Sequence, residues 1–264
     1  MDNTRHFYKY HGTGNDFIMI DNRDLCFPKD NHDLIAHWCN RRLGIGADGL
    51  ILIEADSETD FGMVYYNSDG RPSSMCGNGG RCIVAFAKQL GMITDRCLFS
   101  AVDGLHRATI DAQGIVSLQM TAVDTVVDQG DSTFLNTGSP HHVQLVSDLA
   151  HCDVYTLGKQ IRESPRYQPG GTNVNFVEKI DDTTFAIRTY ERGVEAETWS
   201  CGTGATAVAI AMSHHLHTTA SEVTILVKGG RLSVKFTKVG NAYTDVFLTG
   251  PATRVFDGLI ALSI

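Results

Sequence analysis

Two cysteines of this chain stand in the same local setting. Cys76 opens the run CGNGGRCIVAFAKQL and Cys201 opens CGTGATAVAIAMSHHL. Aligning them brings Gly77 onto Gly202, Asn78 onto Thr203 and Gly79 onto Gly204. Each Cys-Gly-x-Gly run leads into an apolar, alanine-rich stretch. The pattern predicts two buried helices, roughly 78–90 and 203–216, each starting just after its cysteine. A thiol at a helix N-terminus meets unpaired N–H groups and the positive end of the helix dipole, and both favour negative charge. Its pKa falls and it becomes a better base and nucleophile. The glycines let a ligand approach the backbone closely. The free N–H groups form an anion site suited to a carboxylate or a phosphate. One such motif alone reads equally well as a capping turn around an inert buried cysteine.

The repetition changes the weighing. Cys201 follows Cys76 by 125 residues, close to half of the 264-residue chain. Upstream, HGTGNDFIMI aligns with NTGSPHHVQL; Asn15 precedes Cys76 by 61 residues and Ser139 precedes Cys201 by 62. A period near half the chain implies two copies of one domain and not a solenoid. The expected division is 1–121, joined by a returning C-terminal strand at 252–264, and 122–251, with the seam in the polar stretch near 121–131. A pseudo-twofold would put two thiols and two helix N-termini on opposite sides of one cleft. Two bases of one type facing one carbon suit removal of a proton from one face and its return to the other, which is racemisation or epimerisation. The carbanion formed from an amino acid needs strong stabilisation. Pyridoxal phosphate would require a Schiff-base lysine, and no lysine here stands in such a setting. Helix N-termini aimed at the α-carboxylate in a water-poor site offer the alternative, so no cofactor is expected. The thiol and thiolate then exchange roles with reaction direction.

Around these motifs the chain reads as strand and turn. Short β-rich runs occur at 17–21, 50–54, 61–67, 106–111, 115–120, 141–146, 184–191, 222–227 and 231–236, bounded by Gly, Asp or Asn. The pairs 106–111/115–120 and 222–227/231–236 have tight glycine-containing connections and read as hairpins. The fold class expected is α/β in the α+β sense, with a curved, mainly antiparallel sheet around a central helix in each half.

Bulk properties narrow the function classes. A hydrophobic fraction of 42% supports a real core, and a net charge of −8 argues against nucleic-acid or membrane-surface partners. No apolar signal core or bilayer-length run is present, so the chain is expected in the cytoplasm. Seven cysteines, an odd number, read as reduced thiols and not a disulfide framework. His214, His215 and His217 cluster at a helix end, but no zinc-type spacing accompanies them, and no metal is expected.

The motifs MCGNGGRC, SCGTGA, GTGNDF, GIGADG, YYNSDG, SPHHV, TNVNF and the Glu-Arg-Gly at 191–193 occur in an order that resembles the diaminopimelate epimerase family. The resemblance runs from about Tyr8 to residues 250–252. It implies two similar domains with the last strand returning to the first, no cofactor, a homodimer, and interconversion of LL- and meso-diaminopimelate in lysine and peptidoglycan supply. It further implies that Cys76 and Cys201 are catalytic and that Gly77, Asn78, Gly202 and Thr203 receive the α-carboxylate. Glu191 would lie near the substrate amine and, with His141, tune the thiol pair. Arg192 would meet the distal carboxylate, and Asn15, Asn67 and Asn173 would make polar contacts. A guanidinium suits a far carboxylate.

Taken singly, several of these residues have plainer readings. Asn15 and Asn67 sit where turns form, His141 follows Pro140 at a strand start, and Glu191–Arg192 reads as a solvated turn pair. The family often has glutamine where Gly49 stands, asparagine at Ser139 and a larger residue at Gly80. Two other functions fit the cysteine pair: a proline or hydroxyproline racemase of the same fold, which would need no distal guanidinium, and a thiol redox protein forming a disulfide on oxidation.

Overall fold

Both Cys-Gly motifs start a helix of 13 residues, α2 (Gly77–Gln89) and α4 (Gly202–His214), each one residue earlier than the sequence pattern suggests. These come from a computed structural model that describes residues 4–73 and 75–262. Ten residues of α2 and eleven of α4 are buried. A helix without a solvated face must be wrapped by other elements, and strands supply the wrapping. The chain divides into two compact units, Met1–Leu118 with Pro251–Ile264, and Gln119–Gly250.

The first unit contains β1 (Thr4–Gly12), β2 (Asn15–Asp21), α1 (His32–Cys39), β3 (Gly49–Glu54), β4 (Phe61–Asn67), α2, β5 (Arg96–Ala101), β6 (Gly104–Ile110), β7 (Ile115–Gln119) and the C-terminal β17 (Thr253–Ala261). The strand β17 pairs antiparallel with β1, and β1 with β2. Next come β2–β3 parallel, β3–β4 antiparallel and β4–β5 parallel. The β5–β6–β7 meander closes the order. Each parallel pair needs a crossover, and α1 and α2 provide them.

The second unit contains β8 (Val126–Asp128), β9 (Thr133–Asn136), β10 (Pro140–Leu145), α3 (Val154–Arg162), β11 (Asn173–Lys179), β12 (Thr184–Glu191), β13 (Ala196–Thr198), α4, β14 (Glu222–Val227), β15 (Gly230–Val239) and β16 (Ala242–Pro251). From β9 onward it runs through the same succession as the first unit from β1, apart from the additional strand β13 before α4. The pairs β10–β11 and β12–β14 are parallel, crossed by α3 and α4, and the neighbouring pairs are antiparallel. The expected sheet-dominated α/β class and both expected hairpins are present.

The central strands are apolar without alternation because both faces are covered. In β2 and β3, Phe17–Ile20 and Leu50–Ile53 are all buried. Ile18, Ile20, Leu50 and Leu52 pack with Leu34, Ile35 and Trp38 of α1. Toward α2, a Cβ placed on Gly79 would come within 2.9 Å of Ile51 and 3.6 Å of Phe17. In the second unit Val174, Phe176 and Tyr190 form a cluster with Val154 of α3, and Gly158 lets that helix lie directly on Tyr190.

The helices α1 and α3 were not expected from the sequence. They are short, and their start signals are polar side chains: Asn31 Oδ1 accepts from the Leu34 N–H at 3.0 Å, and Asp153 Oδ1 accepts from Thr156 at 3.1 Å.

Candidate active site

Cys76 is the N-cap of α2, with φ −116° and ψ 127°, and its thiol does not cap the helix. Its carbonyl accepts the Gly80 N–H at 2.7 Å, so the helix begins without consuming the side chain. The sulfur lies 3.6 Å from Asn15 Oδ1. Asn15 is oriented by Asp48: its Nδ2 donates to the Asp48 carboxylate at 2.7 Å, which turns Oδ1 toward Cys76 and toward Asn78 Nδ2 at 3.1 Å.

Arg41 bridges Asp48 and Asp16, at 2.7 Å to each, and buried Lys9 adds a 2.6 Å ion pair to Asp16. Burial by itself would raise the Asp16 carboxyl, but hydrogen bonds from Arg41 and Lys9 outweigh it and hold the group at about 2. A carboxyl with a depressed folded pKa contributes stability that is full above its unfolded pKa and lost as pH falls through the folded value. Denaturation midpoints between pH 6 and pH 2 are therefore expected to drop below about pH 4, and to drop less in Asp16→Asn. Equal acid sensitivity in both proteins would remove this network from the account of stability.

Arg81 sits under the same turn, fully buried. It donates to Gly77 O at 3.2 Å, Asn78 Oδ1 at 2.9 Å and Thr13 Oγ1 at 3.3 Å, and its Nε has no partner among the described residues. Burial pulls its pKa down to about 10, which still leaves a cation at neutral pH, beside the thiols of Cys82 and Cys76. All three acceptors are neutral, so the charge reinforces the anion preference of the helix start.

In the second unit Cys201 is the N-cap of α4, with φ −123° and ψ 111°, again with no side-chain cap. Its sulfur lies 3.4 Å from Thr203 Oγ1, and Thr137 Oγ1 donates to Thr203 O at 2.9 Å. Where the first unit has Arg81, the second has Thr206, whose hydroxyl donates to Gly202 O at 3.0 Å. The two helix starts thus share their backbone but differ in charge.

The other expected residues of this unit lie on β10, β11 and β12. His141 is fully buried; burial, with Arg192 adding to it, lowers its pKa to about 3, so the ring is neutral at physiological pH. Asn173 is spent on the protein itself. Its Nδ2 donates to Ser139 Oγ at 2.9 Å and Pro140 O at 3.1 Å, and its Oδ1 accepts the Arg192 N–H at 2.9 Å. It thereby sets where Arg192 begins. The Arg192 guanidinium donates to Gly170 O at 3.2 Å and has no carboxylate partner among the described residues. Glu191 Oε2 accepts from Thr198 Oγ1 at 3.0 Å.

Contacts therefore gather Cys76, Gly77, Asn15 and Asn78 at one helix start, and Cys201, Gly202 and Thr203 at the other. Asn67 is not drawn into either group: it is exposed at the end of β4, with its backbone in the turn to Gly70 and Arg71. Asp48, Arg41, Arg81 and Asn175 escaped the sequence reading. Asp48 and Arg81 lie inside motifs that were singled out, and Asn173 and Asn175 share a strand face by their spacing of two.

The sequence profile of the diaminopimelate epimerase family matches residues 7–126 and 133–255. The chain belongs to the diaminopimelate epimerase family. Over 253 residues it is 57% identical to the diaminopimelate epimerase of Flavobacterium psychrophilum, spanning 96% of this chain and 99% of that protein. It is 39% identical to that of Aquifex aeolicus over 274 residues, 97% of each chain. Among solved structures, the fold is similar to a phenazine biosynthesis protein of Bacillus anthracis, with a TM-score of 0.79 at 13% identity over 98% of this chain and 99% of that one. It is also similar to a hydroxyproline epimerase from Agrobacterium vitis, with a TM-score of 0.69 at 15% identity over 100% and 94%.

Gly49 and Ser139, where the resemblance leads one to expect other residues, each have a local explanation. A Cβ on Gly49 would lie 2.5 Å from the Tyr65 ring and 2.5 Å from Tyr66 O, so the space of a side chain at 49 is filled by Tyr65. Gly49→Gln is expected to destabilise the fold by about 1–3 kcal/mol through overpacking, and a second change, Tyr65→Ala, to recover part of it. Additive losses in thermal denaturation would contradict this coupling. Ser139 is used as the acceptor that holds Asn173. Among the described residues no helix is long and apolar enough to cross a membrane, and no group of His, Cys, Asp or Glu is placed to hold a metal ion.

Proposed function

We propose that this chain epimerises LL-2,6-diaminopimelate to meso-diaminopimelate without a cofactor, with Cys76 and Cys201 as the acid/base pair. The observation that carries the reading is the double one: each unit presents a cysteine as N-cap of a 13-residue buried helix, with no capping bond from its side chain. One thiolate removes the α-proton and becomes a thiol. The electron pair left on carbon is delocalised into the α-carboxylate. The other cysteine, initially a thiol, returns a proton on the opposite face and becomes a thiolate. The N–H groups at Gly77, Asn78, Gly202 and Thr203 receive the carboxylate and the charge that builds on it. Asn15 and Asn78 hold the Cys76 side, and Arg192 takes the distal carboxylate. Glu191 accepts from the substrate ammonium, Asn173 acts through the Arg192 backbone that it holds, and Asn67 adds a polar contact from its exposed position at the end of β4. His141 tunes the Cys201 side.

The same reading places the enzyme in the cytoplasm, in lysine and peptidoglycan precursor supply, and as a homodimer. Val255, Phe256 and Leu259 of β17 are exposed, which supports a second copy against that strand; a monomer in sedimentation equilibrium would remove this part. The substrate assignment is tested by incubating the purified enzyme, in reductant and chelator, with LL-diaminopimelate, proline and hydroxyproline. Formation of the meso isomer alone is expected. Turnover of proline in preference to the diacid would overturn it.

A further inference from the structure

We infer that Asn175 is a positioning residue that fixes His141 as a neutral imidazole with its proton on Nε2, so that His141 serves as a hydrogen-bond donor and not as a proton carrier. The inference deepens the epimerase reading and rests on it for its catalytic part.

Asn175 and His141 are both fully buried. Asn175 Nδ2 donates to His142 O at 2.9 Å and lies 3.1 Å from His141 Nδ1. A backbone carbonyl only accepts, so the amide nitrogen must be on that side; the amide oxygen in turn accepts from Thr189 Oγ1 at 3.0 Å. The second N–H of the amide then points at His141 Nδ1, which must offer a lone pair. The ring proton is left on Nε2, and Nε2 has no partner among the described residues. A buried donor without an acceptor costs about 1–3 kcal/mol, and a group of that kind is accounted for when a ligand supplies the missing acceptor.

The position fits such a role. Asn175 lies against the turn that carries Cys201: a Cβ on Gly204 would be 2.5 Å from Asn175 Oδ1 and 3.3 Å from Cys201 Sγ. On the epimerase reading, the acceptor assigned to this N–H is a carboxylate oxygen of the amino-acid substrate. Burial and the nearby Arg192 both oppose protonation of the ring, so it holds one state through the working pH range. No proton passes through His141 in this scheme; it contributes a fixed dipole.

The test uses the full-length enzyme labelled with 15N-histidine. In the wild type the long-range proton–nitrogen spectrum should show His141 with a bare Nδ1 and a protonated Nε2, unchanged between pH 5 and pH 9. Asn175→Asp replaces the donor with an acceptor and should draw a proton onto Nδ1. That variant should lose about 100-fold in kcat, as when a wrong tautomer or a lost orienting partner disables a site. Its kcat–pH profile should gain an ionisation between pH 5 and pH 8. Asn175→Leu, which removes the donor without adding charge, should lose kcat but gain no such ionisation. A proton on Nδ1 in the wild type, titration of His141 between pH 5 and pH 8, or kcat in Asn175→Asp within threefold of wild type would each overturn the inference. The wild-type spectrum decides the tautomer even if the variants do not fold, and independently of which substrate is turned over.

Discussion

Cys76→Ala and Cys201→Ala are each expected to lower epimerisation by at least about 10³-fold, from the 10²–10⁴ that a positioned acid or base contributes. The two groups act as one unit, so the double variant should be little worse than either single one. The loss should come without unfolding. Neither thiol caps its helix, and each cap carbonyl, which accepts from Gly80 or Ala205, is retained in alanine. The melting temperatures of the single variants should therefore stay near the wild-type value. Cys82 supplies the contrast. It is fully buried and burial pushes its thiol up to about 12, so it is unreactive. Cys82→Ala should keep its catalytic rate, and Cys39 and Cys97, pushed up likewise by burial, belong with it. Steady-state rates beside thermal melts check this. Full activity in either Cys76→Ala or Cys201→Ala would refute the two-thiol mechanism.

Gly204→Ala should be the most damaging single methyl in the second unit's helix start. Its Cβ would fall 2.5 Å from Asn175 Oδ1, 3.2 Å from Cys201 Cβ and 3.3 Å from Cys201 Sγ. Asn175 cannot retreat, because its amide is bonded to His142, His141 and Thr189 at once. Either those bonds or the cysteine turn must move. A cost of about 1–3 kcal/mol in stability is expected, with about a 100-fold loss in kcat from misplacement of the thiol. The equivalent change in the first unit, Gly79→Ala, meets the flexible end of Ile51 at 2.9 Å and should be milder. Gly170→Ala meets open space and should be near neutral. Denaturant melts and kcat on these three variants give the ranking. Gly204→Ala behaving like Gly170→Ala would show that the close packing around Cys201 is not needed.

The contrast between these glycines also shows what was legible in the sequence. The helices α2 and α4 announced themselves because a Cys-Gly-x-Gly start leads into an apolar run with no polar face, a pattern that only a wrapped helix satisfies. The strands β3, β4, β12 and β14 were equally plain, being apolar and bounded by turn residues. The helices α1 and α3 were not: eight and nine residues long, they are held by packing onto the sheet and by Asn31 and Asp153 as caps, with Gly158 in the middle of α3. The strands β1 and β11 were hidden by polar residues such as Lys9, Asn173 and Asn175, which are buried because each finds partners in the fold. At the site, the cysteines and their glycines could be read directly. What could not be read was how the polar shell is connected: that Asp48 turns Asn15, that Arg81 charges one helix start and not the other, and that Asn173 is occupied by Ser139 and Arg192. The Asn15–Asp48 and Asn173–Ser139 links join residues distant in sequence, and no local pattern carries them; Arg81 is close in sequence to Gly77 and Asn78, but its role shows only once the turn is buried around it.

The central claim is that one thiolate removes the α-proton and a second thiol delivers a different, solvent-derived proton to the opposite face, with no cofactor taking part. Its most direct measurement is the reaction of LL-diaminopimelate in deuterium oxide, in the presence of reductant and chelator, followed by mass and by chirality. Each meso molecule formed is expected to carry one deuterium at the inverted carbon, acquired from the solvent through the second thiol. Formation of meso-diaminopimelate with its original α-hydrogen retained, or absence of both exchange and inversion in the wild-type enzyme, would contradict it.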